Sequence, residues 1–360
     1  MNKLIKLTLA VSSLSLVLSA CGTQQLPPGA LYGPQMNPMM QRGAYGAPMM
    51  NAMGRQPMPD QTFQRFSAPS ADWHAQLSPE LQQYYAPAQG KTGRDLLLAL
   101  NQITQRGHNQ PEYNSSKSFL YAQADNVRMG NQTGIIGIYD IVFIPGSGGN
   151  GNIYKEQGDM NADGNPNDFI NAEHIWPQSF FNKQMPMVAD AHHIHPSLAV
   201  PNAMRSNHPI GMTTGVIVYQ NSAGARLGVT DRTGRHNPED IRRWYNMPYN
   251  QQPHDIMRRD LVPVFEPQDA SKGNVARSMM YFFLRYSQES IFNSSTYNKQ
   301  TFWDPHVRTY MQWAQMDPPD AQEQRRHQMV AQNQGNRNPF VDIPQLPQLL
   351  GEQALLQGVR

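Results

Sequence analysis

The stretch from Asn171 to Asn207 carries more polar functional groups than the interior of a folded protein normally holds. These groups belong to Glu173, His174, Asp190, His192, His193, His195, Asn202, Arg205 and Asn207. Burying such a group without a partner costs about 2 to 7 kcal/mol. Any fold of this chain must therefore expose these side chains or gather them into a site that uses them.

Within this stretch, Glu173 and His174 are adjacent and are followed closely by Trp176 and Pro177. The Trp-Pro pair predicts the end of a strand, because proline is poorly tolerated inside a sheet. Neighbouring residues on a strand point to opposite faces, so regular strand geometry does not let both side chains ligate one ion. We expect a division of labour in which one of them binds a metal and the other acts as a base.

The N-terminus has the organisation of a secretory signal. A short basic segment precedes an apolar run from Leu7 to Leu18, which is shorter than the roughly 20 residues that span a bilayer. The sequence Leu18-Ser-Ala-Cys21 resembles a bacterial lipobox, and the alternative for this single cysteine is a buried free thiol. We expect a signal peptide over residues 1–20 and a lipoprotein of the cell envelope, tethered to the membrane through a lipid on Cys21.

Residues 21–75 are rich in Met, Pro and Gly and cannot bury enough apolar surface to fold alone. Their methionines could capture a soft metal such as copper, but no His or Cys lies among them, so we favour a disordered spacer. No second linker follows. We therefore expect one α+β domain over residues 76–350 and a short tail over residues 351–360.

Local patterns predict several elements of this domain. Apolar residues at helical spacing predict three helices, at residues 93–103 after the cap Thr92, 272–287 and 319–334. β-branched and aromatic residues predict strands at 118–122 and 134–145. Gly, Asn and Asp then predict a polar loop over residues 148–171.

The net charge of +2 excludes a strong global field, so any surface for a polyanion must be local. Arginines concentrate in one segment, at Arg226, Arg232, Arg235, Arg242, Arg243, Arg258 and Arg259. Acidic residues interrupt them, at Asp231, Glu239, Asp240, Asp255 and Asp260. The segment is therefore only weak support for a basic groove.

Three ordered motifs carry a resemblance to a known family. They are Asn-Ala-Glu-His-Ile-Trp-Pro-Gln-Ser at 171–179, Asp-Ala-His-His-Ile-His-Pro at 190–196 and Asn-Ala-Met-Arg-Ser-Asn at 202–207. In this order they resemble the endonuclease I family of bacterial secreted or periplasmic nucleases, and further motifs extend the resemblance to residue 340. The resemblance implies a mixed α+β fold with a ββα-metal, or His-Me finger, catalytic core.

The resemblance also assigns roles to residues of this sequence. It implies that His174 is the general base and that Glu173 and Asn202 ligate Mg²⁺, for which Mn²⁺ can substitute. Oxygen donors suit Mg²⁺, and a neutral imidazole can take a proton from water. The implied enzyme is a largely sequence-nonspecific endonuclease that cuts DNA, with RNA open as a second substrate, to leave 5′-phosphate and 3′-hydroxyl ends.

Other side chains keep two roles open. Arg205, a candidate catalytic residue, either holds a phosphate or pairs with Asp190. For His192 and His193 we favour orienting the strand pair over ligating the metal, because the family's metal needs no imidazole. Two further arginines are candidates for phosphate contact or for packing, and these are Arg277 and Arg337.

A possible second ion site lies upstream, where Asp159, Asn161 and Asp163 precede Gly164 as in the opening of an EF-hand-type loop. Ile170 stands where that loop has its bidentate glutamate. A structural Ca²⁺ site and a plain polar turn therefore both remain open.

The alternative to an enzyme is a non-catalytic metal-binding lipoprotein of the envelope. It accounts for the Met and His content of the chain but not for the Glu-His-Ile-Trp-Pro string. Nothing in the sequence implies a protein partner.

Overall fold

The computed structural model describes residues 72–109, 111–146, 155–156 and 169–359. The signal peptide predicted at 1–20, the lipid anchor at Cys21 and almost all of the spacer lie outside these residues. The candidate calcium ligands Asp159, Asn161 and Asp163 also lie outside them.

Helices make up most of the described chain. The α-helices are α1 Pro79–Tyr85, α2 Gly93–Gln105, α3 Tyr113–Phe119, α4 Ala199–Arg205, α5 Pro238–Asn246, α6 His254–Asp260, α7 Lys272–Tyr286, α8 Lys299–Phe302, α9 Val307–Met316, α10 Ala321–Gln334, α11 Pro339–Asp342 and α12 Leu346–Gln357. A π-helical turn, Leu120–Ala124, continues α3. None of the described helices combines the length and the apolar character needed to span a membrane.

The strands are β1 Val127–Met129, β2 Gln132–Ile136, β3 Phe143–Pro145, β4 Lys155–Glu156, β5 Phe169–His174, β6 Ile194–Leu198, β7 Val216–Gln220, β8 Arg226–Asp231 and β9 Leu261–Glu266. They form three small sheets in the orders β1-β2-β3, β4-β5-β6 and β7-β8-β9. All pairings are antiparallel except that of β4 with β5. Small sheets among many helices confirm the predicted α+β class.

Helix α7 forms the centre of the domain. All of its residues except Asn274 are buried, which is expected only of a helix surrounded by other elements. Trp176 packs beside it, stacked on Phe282 and in contact with Trp303. Trp176, two positions after His174, is thus anchored in the larger of the two apolar clusters of the described chain.

The long helices agree with the sequence, because their apolar spacing is local. The predicted strand at 118–122 is wrong, and these residues belong to α3 and the following π-helical turn. Leu120 and Tyr121 pack there against Ile135, Ile144 and Ile170. Their apolar side chains suit a buried helical turn as well as a strand, and the packing partners that decide between the two are distant in sequence.

The C-terminal boundary also differs from expectation. Residues 351–357, predicted to form a tail, continue α12 beyond a kink at Gly351. Ala354 and Leu355 of this segment are buried, and at the other end of the domain Trp73 is buried as well. The packed domain therefore reaches from Trp73 to the end of α12.

Candidate active site

The polar motifs meet in a strand–strand–helix unit formed by β5, β6 and α4. In the antiparallel register, Glu173 lies opposite His195 and His174 lies opposite Ile194. The side chains of Glu173 and His174 therefore point to opposite faces of the strand pair, as strand geometry predicts. Both are 3% exposed, so each depends on specific partners.

Glu173 sits in a buried polar pair. Its Oε1 accepts a 2.8 Å hydrogen bond from the Tyr139 hydroxyl and lies 3.2 Å from Nη1 of Arg205. Burial raises the pKa of Glu173 above its usual value, although Arg205 and Tyr139 act in the opposite direction. No described residue donates a hydrogen bond to the other carboxylate oxygen, Oε2, which leaves it available for a further ligand.

Arg205, at the end of α4, connects this carboxylate to the backbone of the motif. It donates to the carbonyl oxygens of His174 at 3.3 Å, Ile175 at 2.6 Å and Ser206 at 3.1 Å. Its pairing with Asp190, which the sequence left open, does not occur, because the partner is Glu173. Arg205 is 1% exposed, and its two terminal nitrogens make these contacts while Nε, also buried, bonds to no described residue.

The His174 imidazole lies on the other face, beside Tyr113 and His193. Its Nε2 is 3.0 Å from the carbonyl oxygen of Val188, which can only accept, so Nε2 carries the proton. The Nδ1 atom is buried and makes no hydrogen bond of good geometry to any described residue. Burial, together with nearby His193 and Lys117, lowers the pKa of His174 to about 3, which keeps the ring neutral with Nδ1 as its basic atom.

Asn202 lies on α4, one turn before Arg205, and is half-buried. No described residue hydrogen-bonds its side-chain amide. The described contacts thus join Glu173, Arg205 and the backbone of His174. The His174 ring and the Asn202 side chain take part in none of these contacts.

The remaining histidines of the motif have structural partners. Nε2 of His192 is 3.0 Å from the Asn336 carbonyl, Nε2 of His193 is 2.8 Å from the Met187 carbonyl, and Nε2 of His195 is 2.9 Å from Oγ of Ser278. Burial lowers the pKa of His192 to about 3 and that of His193 to about 4. These contacts favour the orienting role for His192 and His193, and they give His195 the same role.

Asp190 has no exposed surface and forms the centre of a buried cluster. Its Oδ2 accepts from the hydroxyls of Tyr281 and Tyr286, each at 2.8 Å, and its Oδ1 accepts from Nε2 of Gln334 at 2.8 Å. Gln334 in turn donates to Asn336 at 2.7 Å. This Asp190 cluster ties the start of β6 to α7 and to the end of α10.

The arrangement described above can be compared with known proteins. Residues 92–345 match the sequence profile of the family described as Endonuclease I. The chain belongs to the endonuclease I family. It is therefore a nuclease, a phosphodiester hydrolase whose substrate is nucleic acid, and the expected α+β fold of the endonuclease I type is confirmed.

Two curated relatives share this similarity, and both are called extracellular ribonuclease. The protein from Bacillus subtilis (strain 168) is 25% identical over 270 residues, which cover 73% of this chain and 76% of the relative. The protein from Bacillus amyloliquefaciens is 25% identical over 293 residues, which cover 79% and 81% respectively.

Two arginines of the endonuclease I motifs are packed cations and not free phosphate contacts. Arg277 is 1% exposed, pairs with Glu323 and donates to the Asp317 carbonyl at 2.5 Å. Arg337 donates to both carboxylate oxygens of Asp342, each at 2.7 Å. Both side chains hold α-helices together instead of facing a substrate.

The donor set at the motif fits Mg²⁺ better than a softer metal. Glu173 offers a carboxylate oxygen that no described residue occupies, and Asn202 offers an amide oxygen on the adjacent helix. Mg²⁺ binds through few protein oxygens and retains water. Within the described ranges, no group of three or more His, Cys, Asp or Glu side chains could hold a metal.

The sequence did not reveal two partners of the endonuclease I motif. Tyr139 precedes Glu173 by 34 positions in the chain, and the Val188 carbonyl that orients His174 belongs to the backbone of a 3₁₀ turn, Met187–Ala189. A backbone acceptor leaves no signature in a side-chain pattern. Tyr139 was visible only as one apolar residue in a predicted strand.

Proposed function

We propose that this protein is a metal-dependent, largely sequence-nonspecific endonuclease that cleaves DNA and RNA to 5′-phosphate and 3′-hydroxyl ends. The observation that carries the proposal is the state of His174. Its proton is held on Nε2 by a backbone carbonyl, so that a neutral ring presents an unpartnered Nδ1. A neutral imidazole with a proton-free nitrogen can accept a proton from water, although a pKa of about 3 makes it a weak base in the metal-free protein.

In the reaction, Nδ1 of His174 takes the proton of the attacking water, and Val188 holds the ring in the required tautomer. The tautomer resembles that of other catalytic imidazoles, in which a second acceptor orients the ring. Attack is in line with the leaving 3′ oxygen, which gives the proposed product ends. Because the base acts on water and the water attacks the phosphate, no nucleobase takes part in the cleavage step, which therefore carries no sequence preference.

Glu173 and Asn202 are the proposed Mg²⁺ ligands. When bound, Mg²⁺ would stabilise the charge of the transition state and of the leaving oxygen. The chain's contribution is to hold the carboxylate in place, which Tyr139 and Arg205 do by contacting Oε1 and leaving Oε2 open.

For Arg205 the contacts favour a positioning role over direct phosphate contact. Its guanidinium contacts Glu173 and the carbonyls of residues 174, 175 and 206, and its exposure is 1%. Reaching a phosphate would require these bonds to break. We propose that Arg205 fixes the carboxylate relative to the end of β5.

RNA as a substrate is supported by the names of the two extracellular ribonucleases, and their extracellular location agrees with the export signal predicted from the sequence. The proposed setting is the cell envelope, with the domain tethered through Cys21 and the spacer.

The test is degradation of supercoiled plasmid and of RNA by the purified protein, with Mg²⁺ or EDTA, beside the His174→Ala variant. We expect metal-dependent cutting that falls at least about a hundredfold in the variant, with added imidazole restoring part of it. His254→Ala, which removes an imidazole at the start of α6, is the control and should cut normally. Fragments that ligate without prior phosphorylation would support the proposed ends.

Cutting by His174→Ala at the wild-type rate would show that His174 is not the general base. Equal cutting in Mg²⁺ and in EDTA would show that the reaction does not depend on a metal.

A further inference from the structure

A polar pocket opens beside the strand–strand–helix unit. It has a volume of about 220 Å³ and is lined by Ser179, Asn207 and the loop from Asn293 to Tyr297. All of these side chains are uncharged. The volume is below the roughly 300 to 1,000 Å³ of a drug-sized ligand site, so the pocket suits one unit of a polymer.

Two residues of the pocket follow the candidate site residues closely in the chain, and the loop that completes it is bonded to their neighbours. Ser179 lies in the turn after β5, five positions after His174, and Asn207 follows Arg205 by two positions. The loop is held against the first wall by a 2.8 Å bond from the Asn293 amide to the Phe180 carbonyl. The pocket therefore lies where the chain leaves β5 and α4.

A second set of contacts joins the pocket to Arg205. The Tyr297 hydroxyl bonds to Nδ1 of His208 at 2.8 Å, and the His208 amide donates to the Arg205 carbonyl at 3.0 Å. Burial raises the pKa of Tyr297, Tyr245 raises it further and Arg205 opposes the change.

The pocket side chains have unused hydrogen-bonding capacity. Ser179, Asn207, Asn293, Ser295 and Thr296 are exposed, and no described residue hydrogen-bonds their side chains. Hydroxyls and amides at the mouth of a concave site are the groups that recognise sugar hydroxyls and base edges.

The backbone at Asn207 is held in an unusual conformation. Ser206, between Arg205 and Asn207, has φ 49° and ψ −131°, a region that residues other than glycine rarely adopt. Such strain persists where the surrounding structure demands it, commonly at functional sites. Here it turns the chain so that Arg205 is buried while Asn207, two residues later, is exposed.

We propose that this pocket holds the nucleoside, the sugar and base, of a nucleotide next to the scissile phosphate, with Asn207 and Asn293 as its binding residues. The proposal rests on the nuclease function and goes beyond it by naming a substrate subsite. An uncharged pocket contributes by hydrogen bonding, whereas phosphate contact is left to other parts of the protein.

The experiment compares Asn207→Ala and Asn293→Ala with wild type, using the full-length protein. A short single-stranded oligonucleotide is the polymeric substrate, and bis(p-nitrophenyl) phosphate, which has no sugar or base, is the small diester. We expect KM for the oligonucleotide to rise about three- to tenfold with kcat nearly unchanged, as the loss of one or two neutral hydrogen bonds allows. Cleavage of the small diester should not change.

The matched control is Asn246→Ala, at an exposed asparagine whose amide bonds only to the Arg242 carbonyl among described residues. It should leave both substrates unaffected. Unfolding temperatures of all variants should match wild type, because neither Asn207 nor Asn293 supports the fold through its side chain.

A wild-type KM in both pocket variants would overturn the proposal. Equal losses on both substrates would also overturn it, since they would indicate damage to the catalytic centre. If the wild type cut neither substrate, the nuclease function would have failed instead. Binding of a labelled oligonucleotide in EDTA would then still decide whether the pocket variants weaken binding.

Discussion

Arg205 is the residue whose role in the structure differs most from the role that its sequence position indicates. Its position in the motif suggested a group for the substrate, yet it is bonded to Glu173 and to three carbonyl oxygens inside the protein. A guanidinium can satisfy this many acceptors at once because its five N–H groups lie in one plane. Arg205 therefore determines the position of the acid and the end of β5 together.

Replacement of Arg205 by Ala should destabilise the protein by about 3 to 5 kcal/mol, because Glu173 would be left as a buried charge without its cation. Urea unfolding measures the change. Arg243→Ala, which removes one partner of an exposed pair, is the control and should cost less than about 1 kcal/mol. In the double variant Arg205→Met, Glu173→Gln we expect part of the loss to be recovered, and no recovery would argue against the pair as its cause.

Asp140 gives the fold a specific response to pH. Burial raises its pKa from 3.8 to about 6, although bonds from the amides of Val142 and Leu198 oppose the change. Between these two values the folded protein binds more protons at this carboxyl than the unfolded chain does. Its contribution to stability is therefore present at low pH and is lost as the pH rises through about 6.

We expect the free energy of unfolding of wild type, relative to Asp140→Asn, to increase by about 1 kcal/mol when the pH is lowered from 7 to 5. Denaturant titrations of both proteins at several pH values measure this difference. A difference that stays constant with pH would show that Asp140 does not titrate in this range.

At the scale of elements, sequence patterns succeeded where the decisive interactions are local. Helices α2 and α7 follow from apolar spacing, and the strand ending at His174 follows from the Trp-Pro pair after it. The residues at 118–122 were misassigned, because Ile135, Ile144 and Ile170 make the buried environment that α3 and its π-helical turn fill. Partners so distant in sequence leave no local pattern.

In the strand–strand–helix unit, too, local geometry could be predicted from the sequence and contacts between distant residues could not. Opposite faces for Glu173 and His174 follow from the period of a strand. The tautomer of His174 does not, because it depends on where the Val188 carbonyl lies in three dimensions. The pairing of Glu173 with Arg205 was also missed, since Asp190 was an equally plausible partner on charge alone.

For the whole molecule, the net charge is only +2, so attraction to nucleic acid depends on which arginines lack an acidic partner. Three exposed arginines between β8 and the end of α5 have no carboxylate partner in the described structure, and they are Arg232, Arg235 and Arg242. Three others nearby are paired with Asp240, Asp255 and Asp260, and they are Arg243, Arg258 and Arg259. Only the first set is free to neutralise phosphates.

Replacing Arg232, Arg235 and Arg242 by Gln should make binding to DNA less sensitive to salt. Each lost phosphate contact lowers the slope of log affinity against log salt by about 0.9. The same change at Arg243, Arg258 and Arg259 removes equal charge and should affect the slope far less. Binding in EDTA at several salt concentrations measures both, and equal slopes in the two triple variants would exclude a specific surface.

The Asp190 cluster bears on when the enzyme becomes active during its own synthesis. The side chains that hold Asp190 come from Tyr281, Tyr286 and Gln334, all of which are translated long after the Glu173-His174 motif. A nascent chain that has just exposed the motif lacks every one of these donors. We therefore expect the strand pair that carries Glu173 and His174 to reach its final packing only when the chain through Gln334 is available for folding.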